Sequence, residues 1–95
     1  MATHKPPHHA VPWTDRQGQY LAFIHTYTLL NRRPPAEADI QRFFGVAGPT
    51  VHRMLVELEY RGFIRRQPGV ARSVEILVLA EAIPPLQEPG VWGRP

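Results

Sequence analysis

The chain contains no cysteine, which removes disulfides, thiolate metal sites and thiol nucleophiles together. Lysine is almost as scarce: the basic side chains are ten arginines and Lys5. The planar arginine fork matches phosphate and guanine better than a point charge does. No window is long or apolar enough to span a bilayer. The opening residues, MATHKPPHHAVPW, lack the apolar run of a signal peptide, so a soluble cytoplasmic protein with no membrane partner is expected. Nucleophile–base–orienter sets, phosphate-cradling glycine loops and paired carboxylates beside a cleft are also missing. No catalytic residue, cofactor or small-molecule substrate is therefore expected. His4, His8 and His9 fall in a proline-containing stretch without cysteines or partnered carboxylates, and they read as incidental polar residues rather than metal ligands.

What is present fits one small domain. At 95 residues the core must be compact and leaves no room for a large active-site cavity. Prolines mark both ends, so residues 1–13 read as an extended arm and residues 80–95 as a proline-rich tail. Trp13 and Trp92, one in each end segment, are candidate dimer or partner contacts. Between these segments, residues 14–79 carry regular periodicity.

A first helix opens at TDRQGQYLAFIHTYTLLN, where Thr14 and Gln17 form a capping-box pattern. Its apolar face holds Tyr20, Leu21, Phe23, Ile24, Tyr27 and Thr28. The loop NRRPP ends it, because a residue before proline is driven from the α region. A short second helix, AEADIQRFFG, turns Ile40, Phe43 and Phe44 inward and stops at Gly45. Pro49 starts a third helix with Val51, Leu55 and Leu58 as its buried stripe, and Gly62 closes it. Residues 63–67 and 73–79 then read as two strands around Pro68-Gly69. The fold class is thus α+β, mainly α: a three-helix winged helix-turn-helix with a C-terminal β-hairpin wing.

That order places the start of the third helix where bases would be met. Pro49, Thr50, His52 and Arg53 are the candidate base-edge contacts, with Arg53 able to grip guanine through two bonds. Otherwise Arg53 would pair with Glu57 one turn on. Arg65, Arg66 and Arg72 bracket the hairpin and are candidate phosphate contacts. Residues 49–74 hold five arginines and two glutamates, so this segment carries a charge of +3, equal to that of the whole chain. The expectation is one continuous positive face shared by the third helix and the hairpin loop.

The segment TDRQGQYLAFIHTYTLLNRRPP resembles the first helix and double-proline loop of the LexA repressor DNA-binding domain family. AEADIQRFFGV resembles its second helix, and RGFIRRQPGVARSVEIL its helix end and wing. The resemblance implies a winged-helix DNA binder of the bacterial or phage transcription-regulator type. Three departures stand out. Ala36 replaces the family's usual threonine cap, which should weaken the start of the second helix. The third helix reads Gly48, Pro49, Thr50, Val51, His52, Arg53, unlike the family's serine-proline-asparagine start, so the family's operator preference does not carry over. The chain as written is also too short for the self-cleaving domain through which the full repressor dimerises.

The function expected is a sequence-specific double-stranded DNA-binding transcriptional regulator, a nucleoid-associated repressor acting as a homodimer. Two alternatives stand: a winged-helix interaction module docking an acidic partner, and a plasmid or phage DNA-acting accessory factor.

Overall fold

The computed structural model describes residues 11–90; the readings on His4, Lys5, His8, His9 and Trp92 fall outside them. In chain order come α1 (Asp15–Asn31), α2 (Glu37–Phe44), α3 (Gly48–Tyr60), β1 (Ile64–Arg65) and β2 (Glu75–Ile76), followed by a 3-10 turn at Ala80–Ala82. Three helices leading into an antiparallel hairpin form the winged helix-turn-helix that the periodicity indicated.

Both halves of the capping box on α1 are made. Thr14 Oγ1 accepts from the Gln17 amide at 3.1 Å, and the Thr14 amide donates to Gln17 Oε1 at 3.0 Å. At α2, Ala36 has no side-chain acceptor to offer, yet its amide donates to Asp39 Oδ2 at 2.8 Å. Half of a capping box survives there and braces the helix start. Gly45 closes α2 with φ +67 and donates to the Gln41 carbonyl at 2.9 Å. Such a left-handed cap suits a residue without Cβ. Only residues 45–47 separate α2 from α3, which is the short turn the motif requires.

Aromatic packing joins the first two helices: Tyr20 stacks on Phe44 with centroids 4.2 Å apart, and Phe23 on Phe43 at 4.7 Å. Val51, Leu55 and Leu58 of α3 are fully buried beneath them, and Phe63, Ile64 and Val74 extend the core into the hairpin.

The hairpin is shorter than its alternation suggested. Ile64 faces Ile76 and Arg65 faces Glu75, and the ladder spans two residues per strand. Beyond it the Gln67 amide donates to Ser73 Oγ at 2.9 Å, and Ser73 Oγ donates to the Gln67 carbonyl at 3.3 Å. Pro68 and Gly69 form a turn closed by the Val70 amide on the Gln67 carbonyl at 3.1 Å. A serine side chain thus takes the place of further ladder bonds.

The packed body also reaches past the limits drawn at residues 14 and 79. Trp13 is buried and meets Phe63 edge-on at 5.5 Å, so it is a core residue and not the exposed interface anchor expected from its position. The Gln19 carboxamide holds the C-terminal segment at two points. Its Nε2 donates to the Pro85 carbonyl at 3.0 Å, and its Oε1 accepts from the Gln87 amide at 2.8 Å. Gly18 makes this approach possible: a Cβ there would lie 3.1 Å from both Pro84 and Trp13. The closeness accounts for a glycine inside a helix, where it costs about 1 kcal/mol relative to alanine. Irregular segments that pack through a tryptophan and prolines carry no hydrophobic period, so periodicity does not reveal their place in the body.

Trp13→Ala should lower the unfolding free energy by about 3–5 kcal/mol in urea titrations followed by circular dichroism. A loss under about 1 kcal/mol would show that Trp13 contributes little to the core.

Candidate nucleic-acid interface

An α-helix turns about 100° per residue, so burying Val51, Leu55 and Leu58 sends the opposite side of α3 to solvent. That outer stripe comprises Pro49, Arg53, Val56 and Tyr60, all exposed. His52 and Glu59 lie on one flank of it, and Thr50 and Glu57 on the other.

Each flank borders a groove. On the first side, His52, Leu55 and Glu59 of α3 face Pro35, Ala36 and Glu37 at the start of α2 and residues 66–74 of the wing, around about 590 Å³. On the second, Thr50, Arg53, Met54 and Glu57 face Thr14, Arg16 and Tyr20 at the start of α1, around about 570 Å³. The candidate contacts are therefore split. His52, Arg66 and Arg72 share the wing-side groove, Thr50 and Arg53 line the α1 side, Pro49 sits on the crest between, and Arg65 lies on the outer edge of the hairpin.

The wing arginines carry carboxylate partners. Arg65 bonds Glu75 across the ladder at 2.6 Å, with both side chains more than half exposed. Arg66 lies 3.1 Å from Glu59 and 3.4 Å from Glu37, and its own side chain is only 20% exposed. Arg72 Nη1 donates to Tyr27 Oη at 3.1 Å and to the Pro34 carbonyl at 3.2 Å, and stands 3.1 Å from Asp39 Oδ2. Its backbone has φ +55, a left-handed conformation uncommon for a residue with a Cβ. His52 Nδ1 is 3.8 Å from Glu37. The positive charge counted along residues 49–74 is thus largely balanced in space by Glu37 and Asp39 of α2 and by Glu75. A continuous positive face does not form, because folding brings distant carboxylates onto the wing.

Arg53 differs. Glu57, its expected neighbour on the helix, bonds Arg61 instead at 2.9 Å. Among the described residues the Arg53 side chain has no ion pair or hydrogen bond, and it is exposed. The helix-turn-helix, the wing on its flank and an unpaired arginine at the head of α3 converge with one further finding: the model of the LexA DNA binding domain matches residues 11–73. The chain belongs to the LexA DNA binding domain family. Membership makes it a DNA-binding regulator. The match starts ahead of α1, in keeping with the place of Trp13 in the core. Among the described residues, no helix is long and apolar enough to cross a membrane, and no cluster of side chains is suited to a metal ion.

Two further cations of this LexA-type domain, outside the candidates named from sequence, lie directly after α1. Arg32 and Arg33 are exposed, have no ion pair or hydrogen bond from their side chains among the described residues, and precede the Pro34 carbonyl that Arg72 holds. The motif NRRPP is a helix stop, and its adjacent arginines are also a local signal of positive charge.

Asp39 is the acidic hub of the site, joining the Ala36 amide, Arg42 at 2.8 Å and Arg72. The Ala36 amide bond, with help from Arg72 and Arg42, holds its carboxyl below the usual range. A depressed carboxyl pKa stabilises the fold above the unfolded value of about 4, and this contribution is lost as pH falls through the folded value. Asp39→Asn should therefore be less stable than the parent at neutral pH. The gap should narrow progressively below about pH 4 in urea unfolding measured across a pH series; a gap independent of pH would argue against an ionised Asp39 hub.

Proposed function

We propose that this LexA-type domain is a sequence-specific double-stranded DNA-binding transcriptional regulator that represses by occupying its operator. The head of α3 enters the major groove, with Pro49, Thr50, His52 and Arg53 at the bases and Arg53 reading guanine through two bonds. The observation that carries this reading is Arg53 itself. It is an exposed guanidinium on the crest of the family's recognition helix, with its nearby carboxylate engaged elsewhere.

The wing arginines take different parts. Arg65 reaches the flanking backbone by exchanging Glu75 for phosphate, since an exposed pair of this kind is worth little in water. Arg66, tied to α2 and α3, and Arg72, tied to α1 and α2, set the angle of the wing and meet the phosphates from a fixed position. Arg32 and Arg33 complete the phosphate contacts. A single winged unit buries limited surface on DNA, so two copies bind an inverted repeat. The same contacts would serve a plasmid or phage accessory factor. Docking of an acidic protein partner is less well supported, because the family match is to a DNA-binding domain.

Selection of bound sites from random duplexes should enrich an inverted repeat. Arg53→Ala should blur one position per half-site, at a cost of about 1–3 kcal/mol. With about four phosphates neutralised by each protomer, log K should fall with a slope near −4 per decade of salt for one bound copy and near −7 for the two-copy complex. Failure to bind any duplex at low salt would reject this reading in favour of the protein-interaction module.

A further inference from the structure

The crest of α3 carries more apolar surface than a guanine reader needs. Val56 is 45% exposed and Tyr60 is 88% exposed. Neither belongs to the core or to the partly buried residues packed against it. Both continue the stripe begun by Pro49 and Arg53, three and seven residues beyond Arg53, so they point the same way. The carboxylates of α3 lie off this crest and are engaged, Glu57 with Arg61 and Glu59 with Arg66. A surface that meets bases through one cation followed by a branched aliphatic side chain has a definite chemical complement. In the major groove, guanine offers two acceptors to a guanidinium, and thymine alone among the four bases offers a methyl group.

Spacing supports the pairing. Arg53 and Val56 are separated by about 4.5 Å along the helix axis, and successive base pairs rise by about 3.4 Å. With the helix lying along the groove, the two side chains address base pairs one or two steps apart. We infer that Val56 is a specificity-determining residue that reads the 5-methyl group of a thymine next to, or one pair removed from, the guanine bound by Arg53. This rests on the DNA-binding reading above and adds a second base to the half-site. It also gives the exposed valine a purpose: the contact removes its methyl groups and that of thymine from water together.

The decisive experiment uses the full chain and the duplex enriched by site selection, replacing each thymine singly with deoxyuridine, which deletes only the methyl. One replacement per half-site should weaken binding by the parent by about fourfold, the effect of burying a single carbon group. Val56→Ala should bind the unmodified duplex about fourfold more weakly and should no longer distinguish thymine from deoxyuridine there. Circular dichroism of this surface variant should match that of the parent. Insensitivity of the parent to every replacement overturns the inference, as does a methyl effect that persists in Val56→Ala. If the Arg53-dependent preference holds while methyl deletion has no effect, the inference alone fails. If no duplex is bound, the DNA reading fails with it.

Discussion

The geometry of the site depends on one guanidinium. Arg72 leaves the wing in a left-handed conformation and reaches Tyr27 on α1, the Pro34 carbonyl in the following loop and Asp39 on α2. A hairpin with a two-residue ladder would have little rigidity of its own. Fastened at this point, and again through Arg66 to Glu59 and Glu37, the loop is held over the start of α2. It forms one wall of the groove beside α3. Asp39 doubles as the brace for the start of α2, so the position of the wing and the helix that supports α3 are coupled through the same carboxylate.

Charge is consequently allocated in two ways. Arginines at the base of the wing are matched with carboxylates and build the shape. Those at its margins, Arg32, Arg33 and Arg53, are exposed without such partners among the described residues. Salt-dependent attraction and structural fastening are therefore separable on a surface whose composition alone suggests uniform basicity. In the proposed reading, specificity falls on the crest of α3, where Arg53 and Val56 offer different chemistry on one stripe.

Much of the architecture was legible in the chain. Capping at Thr14, the glycine stop at Gly45, the Val51–Leu55–Leu58 stripe and the Pro68-Gly69 turn are local signals, and each sits where short-range chemistry places it. The crest of α3 followed from that stripe by helical geometry. Trp13 and residues 84–87 were not legible, since Trp13 meets Phe63 far along the chain and the Gln19 bonds to Pro85 and Gln87 join positions more than sixty residues apart. Ser73 bonding to Gln67 likewise shortened strands that alternation alone would have extended.

By itself, then, the sequence determined the helices, their buried faces, the turn between α2 and α3 and the presence of a wing, because hydrophobic period and capping act within a few residues. Tertiary structure decided which arginines remain available. An ion pair depends on distance in space, and only folding carried Glu37 and Asp39 to Arg66 and Arg72 while Arg61 engaged Glu57 and left Arg53 without a partner among the described residues.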